Sequence, residues 1–345
     1  MEKVLVTGAA GFIGSHVTEY FINKGFDVKA IDLVDITATN KLSRLSHLGS
    51  KLNFMPIDLS SEYSINKLFS LPWKPNYIIN LASESHVDKS IDEPRQVWLN
   101  NTELILNILQ YAEACSDLKV FLQFSTDEVY GPSNYPISEW HRPTVPSNPY
   151  AASKAAQEAL AISWWRTYKL PLVIVNSTNV IGERQHPEKF LPKIIKHLKL
   201  GLEMPIYGDL SSSKEAKVPK TGSRNYLDVR DLCRAIHAVL SVPMAKFENG
   251  AERPVRFHVA GPYQITNLEM LEMVAKCMGV VDYKYKIVPF YEARPGHDLC
   301  YNLNIDKINQ LCNWTHRERI EDTVDRVVKW FISNEAWLNE PVFST

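Results

Sequence analysis

Val4-Leu5-Val6-Thr7-Gly8-Ala9-Ala10-Gly11-Phe12-Ile13-Gly14 places a GxxGxxG turn between an apolar strand and a helix that the sequence continues through Ile13–Lys24. A glycine pattern alone is weak, but one bounded by strand and helix points to a dinucleotide-binding βαβ unit. Gly8, Gly11 and Gly14 permit the tight turn, a close backbone approach to a pyrophosphate, and close packing of helix on strand. The helix start, with Phe12 and Ile13, offers N–H groups and the positive end of the helix dipole. Asp32 closes the second strand, 18 residues beyond Gly14. A carboxylate there accepts from both adenosine ribose hydroxyls and repels a 2′-phosphate, which favours NAD over NADP. The competing reading is a structural turn with an ordinary strand-end aspartate.

Outward from this unit, strand-like runs recur at Val4–Thr7, Asp27–Asp32, Asn53–Asp58, Tyr77–Ala82, Val120–Thr126 and Leu172–Ser177, with helical stretches between them such as Tyr150–Tyr168. That alternation predicts an α/β fold, a Rossmann-type doubly wound parallel sheet. After about residue 180 the rhythm breaks at Pro187, Pro192, Pro205 and Pro219, and a smaller C-terminal substrate-binding domain is expected. The division is 1–180 plus a return segment about 225–260 for the nucleotide domain, and 181–224 with 261–345 for the second. Asn225–Leu240 reads as a return helix, His258–Gly261 as a short strand, and Ser211–Gly222 as a surface loop.

The 345 residues carry 38 basic and 39 acidic groups, with 45% hydrophobic and 22% charged residues, so no global field favours nucleic acid or an anionic membrane. Charged partners must be met by local pockets. Apolar runs such as Leu172–Val175 are far short of the roughly 20 residues of a membrane helix. Met1-Glu2-Lys3 leads directly into a strand, leaving no room for an export signal, so a cytoplasmic protein is expected. Cys115, Cys233, Cys277, Cys300 and Cys312 have neither CxxC nor metal-ligand spacing, so incidental reduced thiols and no metal centre are expected.

Tyr150 and Lys154 stand four apart, on one face of a helix. A lysine ammonium near a phenol favours the phenolate and makes tyrosine usable as a base. Tyr20/Lys24 and Tyr63/Lys67 have the same spacing and read as helix-surface pairs. Tyr150 is set apart because it follows a strand ending in Ser125-Thr126-Asp127-Glu128-Val129-Tyr130-Gly131. By itself Asp127-Glu128 could be a solvated acidic pair. Asp58, after the third strand, could reach an adenine.

At these residues the chain resembles the extended short-chain dehydrogenase/reductase superfamily and, within it, the nucleotide-sugar 4,6-dehydratases, the dTDP-glucose 4,6-dehydratases in particular. The resemblance extends to Ala82-Ser83-Glu84-Ser85-His86-Val87-Asp88, Pro187-Glu188-Lys189, Pro205-Ile206-Tyr207-Gly208-Asp209 and Arg294-Pro295-Gly296-His297-Asp298. Epimerases and decarboxylases of the superfamily share the glycine turn and the Tyr/Lys pair but typically lack Asp-Glu. The resemblance implies an NAD-dependent hydro-lyase acting on an NDP-glucose. Tyr150 would take the proton of the sugar 4-hydroxyl while Thr126 holds that oxygen, Glu128 would remove the C5 proton, and a protonated Asp127 would donate to the departing 6-hydroxyl. Two adjacent carboxylates with opposite tasks need pKa values pushed apart.

The resemblance also implies cofactor contacts at Asp58, Leu59, Ala82, Ser83, Asn100, Ser125, Tyr150 and Lys154. Substrate contacts are implied at His86, Thr126, Asn179, Lys189, Pro205, Tyr207, Arg224, Asn267, Arg294 and His297. A homodimer through helices around Pro94–Cys115 and Tyr150–Tyr168 follows from the same source. Leu33, Asn100 and Val180 depart from the family pattern at cofactor and pocket contacts, while Ala293 and a long Leu210–Ser223 segment leave the nucleotide and sugar open. A UDP-sugar 4,6-dehydratase, an NDP-sugar 4-epimerase and, more remotely, a non-catalytic NAD-binding regulator are the alternatives.

Overall fold

Strand β1 (Lys3–Thr7) is apolar on both sides, and both sides are covered. The computed structural model describes residues 1–33, 43–209, 220–244, 246, 251–290 and 296–339. After β1 come α1 (Phe12–Asn23), β2 (Asp27–Asp32), β3 (Asn53–Pro56), α2 (Glu62–Phe69), β4 (Tyr77–Asn80), α3 (Val87–Asp92) and α4 (Pro94–Glu113). Next are β5 (Val120–Thr126), a 3-10 turn (Asp127–Tyr130), α5 (Pro149–Tyr168), β6 (Leu172–Ser177), β7 (Val180–Ile181), α6 (Phe190–Lys199) and β8 (Met204–Asp209). The chain continues through β9 (Lys220–Thr221), β10 (Ser223–Asn225), β11 (Leu227–Asp228), α7 (Val229–Leu240), β12 (Val255–Val259) and β13 (Gln264–Thr266). It closes with α8 (Asn267–Met278), β14 (Tyr285–Pro289), α9 (Asp306–Cys312) and α10 (Ile320–Ser333).

Seven strands form one parallel sheet in the order β12-β6-β5-β4-β1-β2-β3. The chain winds outward from β1 to β3 and returns to β4 on the other side of β1, so the crevice for a ligand opens beyond the carboxyl ends of β1 and β4. On one face Val4, Val6, Ile79 and Leu122 pack against Val17 and Phe21 of α1 and Leu232 and Ile236 of α7. On the other, Leu5, Ile78, Phe121 and Ile174 pack against Leu104, Ile105 and Ile108 of α4 and Ala161 of α5. A separate cluster joins α6, β8, α8 and α10 through Ile194, Ile206, Leu271 and Val324. Ile308 and Trp314, in the stretch expected to belong with the second domain, pack instead in the α1/α7 cluster beside β12.

The doubly wound sheet is as the sequence predicts; several boundaries differ. The third strand stops at Pro56, because Asp58 turns the chain by accepting the N–H and hydroxyl of Ser60. The fourth stops at Asn80, where Leu81 and Ala82 turn their N–H groups onto Thr7 Oγ1. The return helix starts at Val229 rather than Asn225, with Asp228 capping it by accepting the Arg230 N–H at 2.7 Å after two short strands. The strand expected at His258–Gly261 is Val255–Val259, held in parallel register along β6. Lys220–Thr221 is a strand at the end of the expected Ser211–Gly222 loop, and residues 211–219 lie outside the described ones.

Two glycines of the quoted turn are required by geometry. Gly8 has φ +64, and a Cβ there would lie 2.9 Å from the Ala82 backbone; a Cβ on Gly14 would lie 1.9 Å from the Gly8 carbonyl oxygen. Gly14→Ala must therefore pry α1 off the turn, a loss of at least about 3 kcal/mol. Thermal unfolding and the nucleotide content of the purified variant measure it, and a Gly14→Ala protein with wild-type Tm and full NAD content would contradict this geometry.

Candidate active site

The sheet delivers its chemistry at the carboxyl end of β5. Thr126 Oγ1 accepts the Glu128 N–H at 3.3 Å and donates to Asp127 Oδ1 at 3.1 Å, which fixes both carboxyl residues at the start of the 3-10 turn. The same hydroxyl is hydrogen-bonded to the Tyr150 phenol. Asp127 is 3% exposed, and its second oxygen has no hydrogen-bond partner among the described residues. Burial and the neighbouring Glu128 charge push its pKa up to about 7, against the pull of Arg224. Glu128 is half-buried, with Oε2 accepting from Asn148 Nδ2 at 3.1 Å. One carboxyl is thus poised to hold a proton near neutrality while its neighbour sits in a more solvated setting.

That asymmetry has a stability signature. A folded-state pKa above the unfolded value means that the stability associated with the neutral carboxyl is full below about pH 4 and is lost as pH rises toward 7. Asp127→Asn removes the penalty. Its advantage over wild type should widen by about 2–3 kcal/mol between about pH 4.5 and 7.5. Parallel unfolding curves across that range would contradict the burial of Asp127.

Asn148 joins this turn to α5. Its Oδ1 caps the helix by accepting the Ala151 N–H at 2.8 Å, Pro149 occupies the first helical position, and its Nδ2 donates to both Glu128 and the Gly296 carbonyl. Asn148 was missed as a site residue, although Asn-Pro ahead of Tyr150 is a readable cap signal. Lys154, one turn below Tyr150, is 3% exposed and donates from Nζ to the Phe124 carbonyl at 2.8 Å and to Gln157 Oε1 at 2.7 Å. Burial lowers its pKa to about 7. The expected lowering of the tyrosine pKa is not what these charges produce. Burial and the Glu128 and Asp127 charges raise it, and the lysine ammonium donates to the Phe124 carbonyl and the Gln157 amide. Of the decoy pairs, Tyr63 is exposed as a helix-surface residue should be, whereas Tyr20, with Lys24 over its ring, is half-buried against the α1/α7 cluster and hydrogen-bonds His237 at 3.1 Å.

The residues around β1 and β4 suit NAD. Gly11 caps α1 without a side-chain bond, which leaves the helix N-terminus open toward the crevice, and Asp32 at the end of β2 accepts the Ala10 N–H at 2.8 Å. Ser125 Oγ is buried at the carboxyl end of β5 with no partner among the described residues, a polar atom that a ligand can satisfy. Ala82 lies against Gly8, Ser83 bonds the Glu84 carbonyl, Asn100 donates to Asn101 Oδ1, and Leu59 gives its carbonyl to Asn107.

On the substrate side, Tyr207, Asn267 and Gly222 meet: Gly222 donates to the Tyr207 carbonyl and accepts the Asn267 N–H. Pro205 lies on the same strand, paired with Lys286. Arg224, expected to fork onto a diphosphate, is taken up by the carbonyls of Ser223, Asp298 and Leu299 over the Tyr301 ring, which cluster at its strand. His297 bonds Asp88 at 3.1 Å, bringing its segment over α3. Lys189 caps α6 and reaches the Ser85 carbonyl at 3.1 Å, whereas Asn179 is exposed beside β7. Arg294 lies outside the described residues. His86 pairs with Glu188 at 3.2 Å, near His186. These three could ligate a metal in type, but His186 Nδ1 already accepts the Glu188 N–H and Lys189 adds a positive charge beside both rings. The five cysteines are unpaired, and among the described residues no helix is long and apolar enough to cross a membrane.

Residues 4–251 match the NAD dependent epimerase/dehydratase family, and the chain belongs to it. It is similar to the dTDP-glucose 4,6-dehydratase of Haemophilus influenzae, at 32% identity over 97% of this chain and 99% of that protein. Among solved structures, DesIV (dTDP-glucose 4,6-dehydratase) from Streptomyces venezuelae with NAD and TYD bound superposes with a TM-score of 0.82 at 28% identity, covering 97% of this chain and 98% of that one. UDP-glucuronic acid 4-epimerase from Bacillus cereus, at 24% identity and a TM-score of 0.83 over 96% and 99% of the two chains, shares the fold. The chain is an NAD-dependent enzyme of the dehydratase kind, a hydro-lyase.

Proposed function

We propose that the chain removes water from dTDP-glucose to give the 4-keto-6-deoxy sugar. The observation that carries this is the unequal pair at the end of β5: a buried Asp127 that keeps a proton to about pH 7 beside a half-buried Glu128. An epimerization at C4 needs no such pair, whereas elimination across C5 and C6 needs one base and one acid. Gly8, Gly11, Gly14, Phe12, Ile13 and Asp32, with Asp58, Leu59, Ala82, Ser83, Asn100 and Ser125, would hold NAD. Bound NAD would supply an acceptor for the C4 hydride, a donor of that hydride to C6 and, in its oxidised form, a positive charge that favours a phenolate.

Tyr150 takes the proton of the 4-hydroxyl and Thr126 orients that oxygen. The resulting ketone acidifies the C5 hydrogen, which Glu128 removes while Asp127 gives its proton to the departing 6-hydroxyl, and Glu128 returns its proton to C5 once the hydride is on C6. His86, Asn179, Lys189, Pro205, Tyr207, Asn267, Arg294 and His297 are the substrate contacts in this reading. Arg224 acts from its carbonyl cradle as a fixed charge. Residues 181–224 and 261–345 form the substrate side, with Ile308 and Trp314 tying it to the sheet. A homodimer through α4 and α5 is part of the reading, supported by Trp98 and Leu99 exposed on α4. Five unpaired thiols suit the cytoplasm.

The test is incubation with dTDP-, UDP-, CDP- and GDP-sugars without added NAD, with products weighed by mass spectrometry. Loss of one water from dTDP-glucose in preference to the others is expected. A UDP-sugar as preferred substrate would move the specificity, and an isomer of unchanged mass would replace dehydration with epimerization.

A further inference from the structure

A line of buried amides runs under the site to Lys154. Thr7 on β1, Asn80 on β4 and Gln123 on β5 are register partners across the sheet, so their side chains share the face covered by α4 and α5. Thr7 Oγ1 accepts the N–H groups of Leu81 and Ala82 at 3.1 Å and donates to Asn80 Oδ1 at 2.6 Å. Asn80 Nδ2 donates to Gln123 Oε1 at 2.8 Å, and Gln123 Nε2 donates to Gln157 Oε1 at 3.2 Å. Lys154 Nζ donates to that same oxygen at 2.7 Å, while Gln157 Nε2 is anchored on the Asn101 carbonyl at 2.8 Å. Backbone N–H groups at one end and backbone carbonyls at the other leave each amide a single consistent orientation. None of the five side chains is more than 3% exposed.

We infer that Gln157, oriented by Asn101 and by the Thr7–Asn80–Gln123 line, is a positioning residue that fixes the Lys154 ammonium beneath Tyr150 and ties it to the strand ending in the glycine turn. An ammonium has three N–H donors in tetrahedral directions. Gln157 and the Phe124 carbonyl take two of them, so the direction of the third is set. Both acceptors favour the charged lysine against burial. Among the described residues, the side-chain charge acting on Lys154 is that of Glu158 on the same helix, itself paired with Arg256 of β12 at 2.6 Å. The Asp127, Glu128 and Glu84 charges act on Tyr150. From β4, β5 and α4, the groups in the line are amides and backbone carbonyls.

The inference deepens the proposed reaction and rests on it for Tyr150 as the base above Lys154, but its test needs no substrate. Ionisation of the Lys154 side-chain amine is followed by nitrogen NMR in the full-length, NAD-saturated protein, with Lys154→Met identifying the signal. Gln157→Leu should lower the midpoint by about one pH unit, and Gln157→Glu, of the same shape but charged, should raise it by at least as much. Gln157→Met substitutes for the leucine variant if that one does not fold. The pH profile of kcat should move in the same order, with KM changed less than about threefold. Superimposable amine titrations in wild type and both variants would overturn the proposal, as would a uniform loss of kcat with no pH displacement. Failure of the sugar assignment would show in the absence of turnover by wild type and would leave the titration readable.

Discussion

Tyr150→Phe is expected to abolish oxidation at C4, with turnover down by about 10³-fold or more and the sugar nucleotide still bound. The phenol is hydrogen-bonded to Thr126, and burial together with the Asp127 and Glu128 charges holds its pKa above the usual tyrosine value. Among the described neighbours Thr126 is a poor base, Asp127 carries its own proton, Lys154 is directed to the Phe124 carbonyl and Gln157, and Glu128 serves the C5 hydrogen, so proton removal from the 4-hydroxyl falls to Tyr150. Stopped-flow absorbance of reduced nicotinamide and product mass measure the effect. Turnover within tenfold of wild type would remove Tyr150 from the role of base.

Asp127→Asn is expected to separate the two halves of the reaction. Oxidation at C4 proceeds, since Tyr150 and Thr126 remain, but loss of the 6-hydroxyl slows by about 10²–10⁴-fold for want of its acid. Reduced nicotinamide and a 4-keto sugar that retains its 6-hydroxyl should accumulate. The pH dependence has a definite sign. Asp127 acts in its protonated form, so wild-type kcat/KM falls as pH rises through about 7, and the residual activity of the asparagine variant lacks that limb. Full-rate formation of 4-keto-6-deoxy product by the variant would contradict the assignment.

The sheet was legible because its signals are local. Apolar strands such as Val4–Thr7 and Leu172–Ser177 and the glycine turn each carry their reading within a few residues. Strand ends were less legible, since they depend on distant partners: β4 stops at Asn80 because Thr7, on another strand, captures the next two N–H groups. In the site, Thr126, Asp127, Glu128 and Tyr150 were found from one motif and its spacing, and the structure brings them within one hydrogen-bonded group. The direction of Lys154 was not legible, because it depends on Gln157, Gln123 and the Phe124 carbonyl converging from a helix and a strand. The cradle of Arg224 escaped for the same reason: it is built from carbonyls about 75 residues away.

The central claim is that one protein-bound nicotinamide serves both the oxidation at C4 and the reduction at C6, with the Asp127–Glu128 pair removing water between them. Its most direct test follows the label from dTDP-glucose deuterated at C4 through purified protein with no added nucleotide. The account predicts deuterium in the C6 methyl group of a 4-keto-6-deoxy product lighter by one water. Deuterium retained at C4 of an epimer, or passed to nicotinamide released into solution, would contradict it.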